Sequence, residues 1–163
     1  KTPHALDNVY VYESDTEILD RRPGGGVVLA PFRAWFSDYH KTCGENFAMV
    51  VRPLNAPSLA GRGLLKQTDW PGLQPILEFF HGVPYSTSKK ELIGSLRGLN
   101  KSEELTSVFC SQIVAHCFKS MGLLPPATVA NNVLPKHFCA QSVTLEQGAS
   151  LDPAYHVVWT PDP

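Results

Sequence analysis

The stretch Ser107-Val108-Phe109-Cys110-Ser111-Gln112-Ile113-Val114-Ala115 places a cysteine where a polar connection, Gly98 to Thr106, gives way to an apolar helical pattern. From Cys110 onward, Ile113, Val114, Cys117, Phe118 and Met121 fall on one face of a helix. Gly122 ends that helix, and Pro125-Pro126 prevents its continuation. Cys110 therefore stands at a helix N-terminus, where unpaired N–H groups and the positive end of the helix dipole favour thiolate over thiol. The same N–H groups can hold an oxyanion as an acyl carbon becomes tetrahedral. Two readings of Cys110 follow: an activated nucleophile, or a small buried hydrophobe of the kind free cysteines often are. Cys117, two turns further along, reads as a core residue.

Upstream, Val9-Tyr10-Val11-Tyr12 is β-branched and aromatic and reads as a strand ending in Glu13-Ser14-Asp15. A turn at Arg21-Arg22-Pro23-Gly24-Gly25-Gly26 leads into a second strand, Val27-Val28-Leu29. Pro31 opens a helix whose apolar face is Phe32, Trp35, Phe36 and Tyr39. Phe47 to Leu54 reads as a third strand, and Asn55 to Gly63 as a loop. Asp69 caps a helix running through Leu73, Ile76, Leu77 and Phe80, which His81-Gly82-Val83-Pro84-Tyr85 breaks. Ser88 and Glu91 fit a capping box, and the helix that follows is expected to bury Leu92, Ile93 and Leu96. Near the end, Val143-Thr144-Leu145 and Tyr155-His156-Val157-Val158-Trp159 read as short strands. Helices and strands mix without a βαβ rhythm, so the expected class is α+β.

Composition narrows the function classes. A chain of 163 residues with 43% hydrophobic residues is one domain with room for one core. Fourteen basic against 15 acidic side chains leave a net charge of -1, so no basic stripe points to nucleic acid or an anionic membrane surface. Cys43, Cys110, Cys117 and Cys139 contain no C-x-x-C pair, which argues against a zinc ribbon and for free thiols in a reducing, cytoplasmic setting. No apolar run approaches a membrane span, and neither cofactor nor metal is implied.

Four segments, in order, resemble the circularly permuted papain-like (NlpC-type) cysteine amidases and peptidases. They are Val9-Tyr10-Val11-Tyr12-Glu13-Ser14; Val28-Leu29-Ala30-Pro31-Phe32-Arg33-Ala34-Trp35; Gly82-Val83-Pro84-Tyr85; and Phe109-Cys110-Ser111-Gln112-Ile113-Val114 with Met121-Gly122-Leu123-Leu124. Asn131 to Phe138 looks like that family's closing segment. The resemblance implies a permuted papain-like fold over residues 1–163: a small antiparallel sheet packed against helices, with Cys110 as nucleophile and Glu13 as the acid that orients a histidine. It implies cleavage or transfer at a peptide-like amide or a lipid ester. The family's histidine lies on the strand before the one ending at Glu13, so it is expected upstream of Lys1-Thr2-Pro3, in a first strand that this chain lacks. His4 and His156 are the fallbacks within the chain, and Gln112 is a candidate oxyanion donor or a solvated surface residue. A different class is the alternative: a degenerate, non-catalytic module serving as a structural or interaction subunit among other protein subunits.

Overall fold

The computed structural model describes residues 9–15, 25–44, 49–57, 73–103, 105–140 and 142–157. The expected upstream histidine strand, His4, the Arg21–Gly24 turn and the Asp69 cap lie outside them.

Among the described residues the class is α+β, built from small antiparallel sheets and helices. The alternating Tyr10–Asp15 run forms β1, which pairs antiparallel with β2 (Gly26–Pro31) from Tyr10↔Pro31 to Asp15↔Gly26. Helix α1 (Phe32–Cys43) follows directly behind Pro31, as the aromatic spacing predicts. Phe32 stacks on Trp35 at 5.9 Å, and Trp35 meets Tyr39 at 4.8 Å. The third predicted strand divides. Met49–Val51 is β3 and Leu54–Asn55 is β4; Pro53 between them has no N–H to give to a ladder, although its carbonyl accepts the Asp152 N–H at 2.9 Å. β3 pairs with β6 (Tyr155–Val157), and β4 with β5 (Ser150–Leu151).

Helix α2 spans Gln74–Phe80 and helix α3 Lys89–Arg97. Ser88 caps α3 by accepting from the Glu91 N–H at 3.3 Å. Only half of the expected capping box forms, since Ser86 donates its hydroxyl to Glu91 Oε2 at 3.1 Å and its Oγ also takes the Ser88 N–H. The expected burial of Leu92, Ile93 and Leu96 is corrected: they are 45%, 51% and 58% exposed, and Ser95 is the buried residue of α3. Hydrogen bonding decides this orientation, because the Ser95 hydroxyl donates to the Asn131 carbonyl and thereby turns that face inward. Helix α4 (Cys110–Ser120) is the central element, and α5 (Pro135–Cys139) is a single short turn. Val143–Leu145 is not a strand. Ser142 and Val143 both donate their N–H groups back to His137 O, which closes a turn after α5.

The core forms on two sides of α4. On one side Ile113 packs with Val27, Phe80 and Val108, joined by Tyr12, Ile76 and Val83. On the other, Ala115 packs with Leu124, Ala130 and Val133. Tyr12 enters the first cluster and donates its hydroxyl to Leu77 O at 2.9 Å; burial pushes its phenol pKa up. No helix among the described residues is long and apolar enough to cross a membrane.

Candidate active site around Cys110

The segment before Cys110 is held as if it were an extra strand. Val27 N–H donates to Val83 O at 2.9 Å, and Gly82 N–H returns to Val27 O at 3.0 Å. A side chain at position 26 would meet Val83 O at 2.8 Å, and its φ is +147°, so Gly26 is the residue type that permits this approach. Tyr85 then bridges Val108 in parallel. Val108 N–H donates to Pro84 O, and Val108 O accepts the Ser86 N–H at 3.1 Å and the Ser14 hydroxyl at 2.8 Å. The Gly82–Tyr85 segment is thus the connection that carries β2 to the cysteine.

The chain turns into α4 at Phe109, whose φ of -81° and ψ of 156° are extended. Its N–H donates to Gln112 Oε1 at 3.2 Å, the glutamine half of a capping box. The helical ladder opens with Ile113 N–H to Phe109 O, so the N–H groups of Cys110 and Ser111 lie ahead of it. Cys110 is exposed and free of any disulfide.

Two cavities meet at Cys110. The larger, about 400 Å³, is walled by Val50, Val114, Phe118, Phe138 and Leu151 and reaches Cys139. The smaller, about 100 Å³, is walled by Tyr85, Leu92, Phe109, Leu134 and Asn131. Arg52 is the cation in the larger wall, but it serves the backbone: its guanidinium donates to the carbonyls of Phe138 (2.5 Å), Cys139, Leu151 and Asp152. Arg52 thereby fastens α5 and the β5 region beside α4.

Glu13 stands within β1, paired across from Val28. Side chains alternate along β1, so Tyr12 and Ser14 face α2 and the Val108 segment while Glu13 faces α1. There Glu13 Oε1 accepts from the Trp35 indole N–H at 2.6 Å. No histidine is among the described residues lining either cavity. His40 is exposed in the last turn of α1, and His81 follows α2. His137 Nδ1 accepts the Leu134 N–H at 3.1 Å within the first turn of α5. His156 is exposed on β6, directly across from Val50, which belongs to the larger cavity's wall. His116 lies on the far side of α4, its ring 4.9 Å from Phe80. Burial depresses its pKa, partly offset by Glu103, whose carboxylate is 3.9 Å from Nε2.

Compared with family models, curated proteins and solved structures, the chain matches none.

Sequence reasoning missed Asn131. It sits in a 3₁₀ turn, Ala130–Asn132, that is pinned from several directions. Glu103 Oε1 accepts the Ala130 N–H at 2.9 Å and the Lys119 ammonium at 2.5 Å. Asn132 and Asn100 exchange two hydrogen bonds, Asn132 Nδ2 to Asn100 O at 2.9 Å and Asn100 N–H to Asn132 Oδ1 at 3.2 Å. Gln112 is fully buried rather than solvated, and its Nε2 donates to Asn131 Oδ1 at 3.0 Å. One of its amide hydrogens is therefore committed within the protein. Among the described residues the buried Asn131 Nδ2 has no hydrogen-bond partner, an arrangement that ordinarily costs about 1–3 kcal/mol.

The thiols differ sharply in access. Cys110 and Cys139 are exposed, whereas burial pushes the Cys117 thiol up to about 11. At pH 8 about one part in 10³ of Cys117 is ionised, and the thiolate is the reactive form. Alkylation at pH 8 is expected to modify Cys110 and Cys139 first. Cys117 should follow only as the pH rises toward 11, as read by peptide mass spectrometry. Equal labelling of Cys117 at pH 8 would contradict the shielding that its burial provides.

Proposed function

We propose that the chain is a thiol hydrolase or acyltransferase of the permuted papain-like kind, acting at an ester or amide carbonyl through Cys110. One observation carries this reading. The thiol is exposed at the head of an 11-residue helix, ahead of its hydrogen-bond ladder, where two cavities meet. The Cys110 sulfur attacks the carbonyl carbon, the oxyanion forms near the first-turn N–H groups, and the leaving group departs from a thioester that water or another nucleophile then resolves. The apolar wall of the larger cavity favours substrates whose acyl or leaving portion is hydrocarbon-rich, such as a lipid ester, over a charged peptide.

The test is an activated ester offered to the native protein, with the adduct mapped by mass spectrometry. An acyl group on the Cys110 peptide in preference to that of Cys139 supports the reading. Uniform or absent labelling overturns it. In that event the second reading stands, a non-catalytic module serving as a structural or interaction subunit. The observation in its favour is that Glu13, the acid of the resemblance, is bonded to Trp35 on the α1 face.

A further inference from the structure

We propose that Asn131 Nδ2 is the hydrogen-bond donor that receives the carbonyl oxygen of an acyl substrate in the smaller cavity beside Cys110. This deepens the thiol-enzyme reading and rests on it.

The orientation of the Asn131 amide follows from a chain of hydrogen bonds that starts at a group with no choice. The Phe109 backbone N–H can only donate, and it meets the Gln112 amide at 3.2 Å. That fixes Oε1 toward Phe109 and leaves Gln112 Nε2, itself only a donor, facing Asn131 at 3.0 Å. Asn131 must therefore present Oδ1 to Gln112, and its Nδ2 turns away. Among the described residues Nδ2 finds no acceptor, although the residue is only 2% exposed. Buried amide hydrogens are nearly always satisfied, so this one is open to an acceptor that a ligand brings.

Asn131 and Cys110 line the same cavity of about 100 Å³. Leu92, Phe109, Val133, Leu134 and Pro135 make much of that wall apolar, the Ser95 hydroxyl is already bonded to Asn131 O, and Tyr85, Ser111 and Gln112 add polar groups to it. A carbonyl oxygen on an apolar acyl group brings one acceptor and a hydrocarbon remainder, which matches it. The turn bearing Asn131 is also held rigidly by Glu103, Asn100 and Ser95, as a donor aimed at developing charge must be.

In the step assigned to this donor, Cys110 Sγ forms a bond to the carbonyl carbon and its proton leaves to solvent base. The carbonyl π pair moves onto oxygen, where Asn131 Nδ2 donates to it. Collapse expels the alcohol or phenol as its oxyanion and leaves the thioester.

The experiment compares two reagents at Cys110 in the full chain, each adduct quantified on the Cys110 peptide. 4-Nitrophenyl butyrate reacts through an oxyanion; methyl methanethiosulfonate transfers a methylthio group to sulfur without one. Asn131→Asp keeps an oxygen for Gln112 but replaces the donor, and Asn131→Ala removes it without adding charge. Loss of one oxyanion donor typically costs 10²–10³-fold, so the ratio of ester to disulfide-exchange rates is expected to fall about 10²-fold in both variants. An unchanged ratio, with wild-type Cys110 acylated, overturns the donor role and leaves the nucleophile standing. A wild type that forms no Cys110 ester adduct overturns both. Should Asn131→Ala fail to fold, Asn131→Asp decides alone, because its ratio cancels any effect of the new charge on thiol ionisation.

Discussion

Cys110→Ala is expected to bring ester turnover down to the buffer background while leaving the unfolding midpoint nearly unchanged. The two halves of this expectation have separate causes. Turnover depends on a sulfur nucleophile, and alanine offers no atom to attack the carbonyl. The fold does not depend on the side chain, which is exposed at the first residue of α4. Surface replacements of this kind usually change stability by no more than about 0.5 kcal/mol. Cys139→Ala is the matched control, because Cys139 is also exposed and lies in the wall of the larger cavity. Turnover by Cys110→Ala equal to that of wild type would remove Cys110 from the chemistry. Equal losses from both replacements would indicate damage to the cavity rather than removal of a nucleophile.

Phe80→Ala is expected to be the most destabilising single truncation, by about 3–5 kcal/mol. Phe80 is 1% exposed and closes the cluster of Val27, Val108 and Ile113. Its ring meets Phe79 edge-on at 4.9 Å and the His116 ring at the same separation. Truncation leaves a void beside β2, the Val108 segment and α4; β2 and the Val108 segment are each held by backbone hydrogen bonds to the Gly82–Ser86 connection, which resist collapse into it. Urea titration should show a lowered midpoint with an unchanged m value. A loss below about 1 kcal/mol would mean that the neighbouring side chains close the gap, contrary to the rigidity inferred for this region.

The sequence was legible where local chemistry and periodicity agreed. The Tyr10–Asp15 and Gly26–Pro31 strands, the aromatic helix after Pro31, and the helix opening at Cys110 all appear as the pattern predicts. Cys117 is only half-buried on that helix, short of the core position expected of it. It was less legible where a distant polar group overrode an apolar face. Leu92, Ile93 and Leu96 have helical spacing, yet Ser95 turns inward because Asn131, 36 residues away, offers it a carbonyl. Gln112 reads as a surface residue from its type, and only the turn at Ala130–Asn132 reveals why it is buried. Asn131 carried no local signal beyond an Asn-Asn pair before a proline. Glu13 lies inside its strand, which runs on to Asp15, rather than at its end as the resemblance implies. The alternation that places Tyr12 and Ser14 inward sends it to Trp35.

The carbonyl of Val108 has a consequence of a different order. It accepts from Ser14, 94 residues earlier in the chain, and from Ser86, while the Val108 amide is bonded to Pro84 and the side chain is fully buried. Nothing in this arrangement can open by fraying from one end. Release of the peptide before Cys110 requires the N-terminal hairpin and the Pro84 segment to separate together. The Val108 amide should accordingly exchange its hydrogen for deuterium only on global unfolding, among the slowest positions in the chain.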